Sequence, residues 1–253
     1  MNDNKLKISV ITAVFNAHAT ISDAIESVAE QTYKNVEHIV VDGASTDGTI
    51  ETIETYRKRI SVFISEPDNG IYDALNKGIA IASGDVIGFL HADDVYFDNE
   101  VLEKIATAFN DEMVDAVYGD LIYVRRDDLG ATVRYWKSQK FSPTLLKKGW
   151  MPPHPTLYVR KKHYKRIGGF NTDYRVAADY FSILQLFLQK GFNAVYLPVV
   201  FVKMRWGGTS NKTLKNMLRK SYEDLLALRK TGVGGFGTLF WKNISKVGQF
   251  FSK

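Results

Sequence analysis

The sequence predicts an α/β protein: a mostly parallel, Rossmann-like sheet flanked by helices, followed by a helical tail. Three observations lead there. Short apolar, β-branched runs alternate with helix-spaced segments through the first half, the pattern of a sheet with helices on both faces. Carboxylates cluster directly after two of those runs, where such sheets bind ligands. The composition, 45% hydrophobic and 24% charged over 253 residues, is that of a folded globular chain.

The elements follow in order. Residues 7–15 read as a first strand and 22–30 as a helix, with apolar positions at Ala24, Ile25 and Val28. A second strand covers 37–41 and a second helix 49–56. A third strand, 61–65, precedes a helix over 71–82 that ends at Ser83-Gly84. Then come a strand at 86–90, a helix at 100–109 and a strand at 116–118. Beyond Gly119 the pattern loosens. Residues 121–124 and 132–135 form a hairpin around Asp127-Asp128-Leu129-Gly130. A short strand at 156–159, a helix at 180–189, strands at 193–197 and 200–205, and a long helix at 214–229 complete the reading. Gly232 to Gly237 form a hinge-like stretch before a last helix.

Composition narrows the function classes. The chain has no cysteine, which excludes disulfides and thiolate metal sites and is compatible with the cytoplasm. Lys5, Lys7 and an Ala17-His18-Ala19 segment imitate a secretory leader, but Ser9 and Thr12 interrupt its apolar stretch, which reads as a buried strand. The longest apolar run, 194–202, is broken by Pro198 and falls short of the ~20 residues that span a bilayer. A net charge of +5 favours an anionic partner. No basic stripe interleaved with aromatics accompanies it in the first half, so a nucleic-acid partner is not expected. Gly232-Val233-Gly234-Gly235-Phe236-Gly237 fits a dinucleotide-binding pattern but follows a helix instead of a strand, so it is dismissed.

The sharpest chemical signal is His91-Ala92-Asp93-Asp94, directly after the strand at 86–90. Adjacent carboxylates at a buried strand end repel unless a cation or donors offset them. Hard oxygen ligands suit Mn²⁺ or Mg²⁺, which take few protein carboxylates and fill the shell with substrate phosphates. The competing role, capping the next helix, is already supplied by Asp98-Asn99. Asp42 stands at the tip of the second strand, where a base or ribose would lie, whereas Asp47 fits a helix cap. Asn76 and Lys77 sit mid-helix after the turn Glu66-Pro67-Asp68-Asn69-Gly70.

These segments occur together in one order. Ser9 to Asn16, Gln31-Thr32-Tyr33, Val40 to Thr49, Ala74-Leu75-Asn76-Lys77-Gly78, Ser83-Gly84-Asp85 and Ala92-Asp93-Asp94 resemble glycosyltransferase family 2, across residues 6–210. The resemblance implies a glycosyltransferase A fold, an inverting mechanism and a nucleoside diphosphate sugar donor, a UDP-sugar in the first instance. It places Asp42 on the base, Asp93 on the ribose or donor and Asp94 on the metal, with Asn76 and Lys77 on the donor side. It further implies that Asp179, in Ala177-Ala178-Asp179-Tyr180, is the general base. The chain departs from the pattern at His91, where many members carry Asp, which leaves the choice of metal open.

Other assignments complete the expected site. His154, in the stiff loop Met151 to Pro155, reads equally as a second metal or diphosphate ligand and as a structural histidine. Arg205 is expected to pair with phosphate and Trp206 to stack on a sugar, ahead of the flexible Gly207-Gly208-Thr209-Ser210, the alternative being a plain turn beside a buried Trp. The expected organisation is a catalytic domain over 1–212, with 1–118 serving the nucleotide and 119–212 the acceptor, and C-terminal helices over 213–253. The acceptor is read as a lipid-linked or growing glycan in bacterial surface polysaccharide synthesis. The alternatives are transfer to a polyprenyl phosphate and a non-catalytic sugar-nucleotide-binding module. The apolar stripe Leu239, Phe240, Ile244, Val247 and Phe251, with Lys242, Lys246 and Lys253, fits either an anionic membrane surface at the cytoplasmic face or docking on the core or on a second copy of the chain.

Overall fold

The computed structural model describes residues 5–207 and 214–244. The first half is built as the alternation predicts. Strands β1 (Ile8–Val14), β2 (Val36–Asp42), β3 (Val62–Ser65) and β4 (Val86–Phe89) lie parallel in the order β3-β2-β1-β4. Helices α1 (Ile21–Ala29), α2 (Thr49–Thr55) and α3 (Ile71–Ile81) make the crossovers. β1 is buried along its whole length, as a central strand covered on both faces must be. α1 buries Ile21, Ala24, Ile25 and Val28, a stripe at helical spacing. Each large side chain of this kind contributes about 1.5–3 kcal/mol on burial.

The sheet continues past β4 as a mixed one. β5 (Asp94–Tyr96), α4 (Val101–Ala108), β6 (Ala116–Val124), β7 (Thr132–Trp136), α5 (Pro143–Leu146), β8 (Tyr158–Arg160), α6 (Lys161–Ile167), α7 (Ala178–Phe187), β9 (Ala194–Arg205), α8 (Leu214–Lys230) and α9 (Phe236–Ile244) follow in the chain. β8 inserts antiparallel between β4 and β6, β9 runs parallel to β6, and β5 and β7 close the edges antiparallel to β9 and β6.

Four sequence readings change. The runs at 116–118 and 121–124 are one strand, and so are 193–197 and 200–205. The pairing of β6 with β9 shifts register on either side of Asp120, next to Gly119 and opposite the stretch holding Pro198. A Cβ on Gly119 would lie 2.6 Å from the Phe201 ring, so glycine permits the close approach, and the irregularity accommodates a proline that cannot donate to a ladder. The strand expected at 156–159 begins only at Tyr158, because His154–Thr156 form a 3-10 turn. The helix expected from 180 starts at Ala178, which puts Asp179 in its first turn.

His38 on β2 is almost completely buried, and its Nε2 meets the Thr12 hydroxyl at 3.0 Å. Burial pushes its pKa down from 6.5 to about 4. The unfolded chain therefore binds a proton that the folded chain refuses between those values. The resulting stability is complete above pH 6.5 and is lost progressively as the pH falls to about 4. Urea midpoints compared at neutral pH and about pH 5 are expected to fall in the parent and to fall less in His38→Gln.

Candidate active site

The carboxyl ends of the parallel strands surround a cavity of about 710 Å³. Its wall takes Ala13 to Thr20 from the loop after β1, Asp47, Asp68, Gly70, Ile71 and Ala74 from the next two crossovers, His91, Ala92 and Asp93 after β4, and Arg126 and Met204 from the second half. The loops after β1 and β2 are zipped together. Asn16 N–H donates to Ser45 Oγ at 2.8 Å, and Thr46 N–H donates to Asn16 Oδ1 at 2.9 Å. Asn16 and Ala44 hold φ of 50° and 63°, left-handed values that Asn tolerates through local bonds and that cost Ala about 1 kcal/mol or more. His18 docks on the start of α2, its Nδ1 2.8 Å from Thr52 Oγ1 and 3.2 Å from the Gly48 carbonyl.

The acidic pair divides its work. Asp93 faces the cavity, whereas Asp94 is fully buried at the start of β5. Asp94 Oδ1 accepts the Arg205 N–H at 3.2 Å, and its Oδ2 is buried with no hydrogen-bond partner. Burial first, then the charge of Asp93, push the Asp94 carboxyl well above the usual range, and Arg205 opposes them only in part. A buried carboxylate oxygen that accepts nothing calls for a cation or a proton. Among the described residues no three His, Asp or Glu side chains converge as a complete metal site. The residues present therefore fit a cation that takes Asp94 and completes its shell from a diphosphate and water, with Asp93 on the cavity wall beside it.

Asp179 is brought to the same region from the other half of the chain. The Tyr72 hydroxyl on α3 lies 2.9 Å from the Val176 carbonyl and 3.2 Å from Asp179 Oδ1, one hydrogen shared between two acceptors. Asp179 also acts electrostatically on His91 and His154, whose rings are 6.2 Å apart. His154 stacks on Phe89 at 5.3 Å with Phe170 edge-on, and its buried Nε2 has no hydrogen-bond partner. Burial holds its pKa down at about 4, so the ring is neutral. His91 is likewise lowered by burial, against the pull of Asp93 and Asp179. The structure thus groups His154 with Asp179 and His91, and His91 links that group to the acidic pair.

The other expected donor residues are engaged within the protein. Asp42 is fully buried and accepts Ser45 N–H, Ser45 Oγ–H and Ser65 Oγ–H at 3.0, 2.5 and 2.7 Å, so it shapes the loop and is not part of the cavity wall. Asn76 donates to the Phe170 carbonyl and accepts the Phe170 N–H, both at 2.8 Å, tying α3 to the segment before α7. Lys77 pairs with Glu66 at 2.8 Å and reaches the Pro67 carbonyl, which steadies the turn that presents Asp68 and Gly70. The Arg205 guanidinium is buried; it binds the Asp93 carbonyl at 2.7 Å, the Arg126 carbonyl at 3.3 Å and the Asp23 carboxylate. Trp206 is 42% exposed and packs edge-on against Tyr123. The rest of its expected loop, 208–210, lies outside the described residues.

Sequence reasoning assigned no role to Asp68, Arg126 or Tyr72. Asp68 was visible as part of a turn, and its carboxylate lies where a Cβ on Gly43 would be, 2.5 Å away. Arg126 and Tyr72 carry no local signal, because a hairpin arginine and a helical tyrosine are ordinary surface and core choices.

Residues 9–168 match the profile described as Glycosyl transferase family 2. A PGL/p-HBAD biosynthesis glycosyltransferase of Mycobacterium bovis is 29% identical over 208 residues, covering 80% of this chain and 78% of its own length. An uncharacterized glycosyltransferase of Mycobacterium tuberculosis is 33% identical, covering 70% and 68% respectively. Among solved structures, Staphylococcus aureus TarS 1-349 in complex with UDP-GlcNAc superposes with a TM-score of 0.72 at 19% identity, over 90% of this chain and 66% of its own. The mannosyltransferase PcManGT of Pyrobaculum calidifontis, in complex with GDP-Man and Mn²⁺, gives 0.67 at 20% identity, over 98% and 70%. At these identities the superpositions establish the glycosyltransferase A fold.

Proposed function

Because the chain belongs to glycosyl transferase family 2, we propose that it is an inverting, divalent-cation-dependent glycosyltransferase. In this reading it moves a sugar from a nucleoside diphosphate sugar, a UDP-sugar first, to a lipid-linked or growing glycan in cell-surface polysaccharide synthesis. The observation that carries it is the orphaned, buried Asp94 Oδ2, next in the chain to the Asp93 that lines the cavity. Asp94 would hold Mn²⁺ or Mg²⁺, which when bound would offset the charge of the departing diphosphate, and Asp93 would meet the ribose or the donor from the cavity wall. Asp47, Asp68 and the 13–20 loop line the space for the nucleotide, in keeping with a nucleotide half over 1–118. Arg126 enters from the 119–212 half and brings a positive charge to that wall.

On the acceptor side Asp179 is the base. Its carboxylate takes the proton of the acceptor hydroxyl as that oxygen attacks the anomeric carbon. Tyr72 orients it, and the neutral His154 offers a ring nitrogen beside it. Support from the solved structures is of the same kind: TarS is in complex with UDP-GlcNAc and PcManGT with GDP-Man and Mn²⁺.

We place the enzyme peripherally at the inner membrane face. Among the described residues no helix is long and apolar enough to cross a membrane. α9 exposes Phe236, Phe240, Trp241 and Ile244. The two carboxylates of 214–244, Glu223 and Asp224, are both buried, while Arg219, Arg229 and Lys230 are exposed. The exposed aromatics of α9, with Arg229 over the Phe236 ring and no exposed acid in 214–244, match an anionic lipid surface.

Three outcomes test the proposal. In thermal-shift titrations with UDP- and GDP-sugars, Mn²⁺ is expected to strengthen nucleotide stabilisation in the parent and to leave it unchanged in Asp94→Asn; equal strengthening in both would remove Asp94 from the metal site. Asp179→Asn is expected to bind donor normally and to lose about 10²–10⁴-fold in turnover; parent-like turnover would remove it as base. Vesicles of acidic lipid are expected to sediment the parent at low salt and to release a Phe240→Ser/Trp241→Ser variant. Equal sedimentation would mean that this face serves something else, and concentration-dependent dimers lost in the same variant would identify it as a subunit contact.

A further inference from the structure

The C-terminal helices hold a buried acid that none of the chemistry above requires. Glu223 on α8 is 6% exposed, and its carboxylate points into the chain just ahead of α7. It accepts three consecutive backbone N–H groups: Arg175 at 3.1 Å on Oε1, Val176 at 2.8 Å and Ala177 at 3.0 Å on Oε2. Asp179 follows two residues later, in the first turn of α7. The same peptide segment is gripped from its carbonyl side by the Tyr72 hydroxyl, which also touches Asp179 Oδ1.

A second contact fixes the next residue. The Lys242 ammonium on α9 lies 3.1 Å from the ring centre of Tyr180 and 2.6 Å from Asp224 Oδ1. Lys220 approaches the other oxygen of Asp224 at 3.3 Å. Lys242 and Asp224 are each 1% exposed. Gly149 makes room for this docking, since a Cβ there would lie 2.4 Å from Lys242 Cβ. Charges are buried only where partners hold them, and each of these is held across a boundary between the tail and α7 or within the tail itself.

We infer that Glu223 is a positioning residue for Asp179, and that the helices 214–244 act as a brace for the acceptor side of the site. This rests on the reading of Asp179 as the base. Charge-assisted bonds to three successive amides fix the path of residues 175–177 far more tightly than neutral turns do. A carboxylate that must meet an acceptor hydroxyl at bonding distance is sensitive to displacement, and about 1 Å of misplacement costs on the order of 10²-fold. Glutamine at 223 would retain one acceptor oxygen and turn an NH₂ toward a backbone N–H, so the grip weakens without loss of volume.

The test uses the full chain with Mn²⁺ and whichever UDP-sugar gives the largest thermal shift, reading UDP release with water as acceptor. Glu223→Gln is expected to lower kcat about 10–100-fold, with donor KM and UDP·Mn²⁺ affinity within about twofold of the parent. Tyr72→Phe, which releases the segment from the opposite side, is expected to act in the same direction. The decisive variant is Glu223→Gln/Asp179→Asn. If Glu223 works through Asp179, the pair is no slower than Asp179→Asn alone. Multiplying losses in the pair, or a Glu223→Gln defect that falls equally on donor affinity, would overturn the inference. Should Asp179→Asn release UDP at the parent rate, the base assignment fails first; a slow Asp179→Asn beside a parent-like Glu223→Gln refutes the brace alone.

Discussion

Arg205 holds the acidic strand end together. A buried guanidinium at the close of β9 reaches the Asp93 carbonyl, the Arg126 carbonyl and the Asp23 carboxylate, while the backbone N–H of Arg205 donates to Asp94. One side chain thereby ties the β5–β9 edge to α1 and to the hairpin turn that supplies Arg126. Two adjacent carboxylates would otherwise splay or take up protons. The clamp fixes their backbone yet leaves Asp94 Oδ2 without a partner. A fixed backbone with one unsatisfied buried oxygen is completed by a cation or a proton.

The remaining polar groups show the same economy. Asp42, Asn76, Lys77 and Arg205 are each the type of residue that binds nucleotides, and each makes its bonds inside the protein. Asp42 collects the hydroxyls of Ser45 and Ser65, Asn76 pairs with one peptide unit of Phe170, and Lys77 holds the 66–70 turn. They shape the loops whose other members, Asp47, Asp68 and Gly70, form the wall. Strain at Ala44 and Asn16 fits this picture, since left-handed backbone persists only where surrounding bonds over-determine it.

How much was legible in the sequence follows from the range of the forces involved. The parallel half was legible because period-2 and period-3.6 patterns are local, and β1, β2 and α1 bury the residues those patterns mark. The acidic pair was legible because two like charges at a strand end are anomalous without a purpose. What escaped was decided by contacts distant in the chain. β5 is only three residues, Asp94–Tyr96, and exists because β9 pairs with it. The fusion of 116–118 with 121–124 depends on Phe201 lying over Gly119. Whether Asn76 faces a nucleotide or Phe170 cannot be decided from position 76, since the partner is 94 residues away.

The tail shows the limit most clearly. Helical spacing in 236–253 displays an apolar stripe beside lysines, which reads equally as a lipid-facing or a core-facing helix. The structure divides that stripe. Leu239 packs toward the core and Lys242 is buried against Asp224 and Tyr180, so this lysine adds nothing to a surface charge; Phe236, Phe240, Trp241 and Ile244 point outward. Val247, Phe251, Lys246 and Lys253 lie outside the described residues. A helix that buries a charged residue on one side while exposing aromatics on the other is anchored to the protein first. Its inner side meets α7 through the Lys242 ammonium over the Tyr180 ring, one residue beyond Asp179.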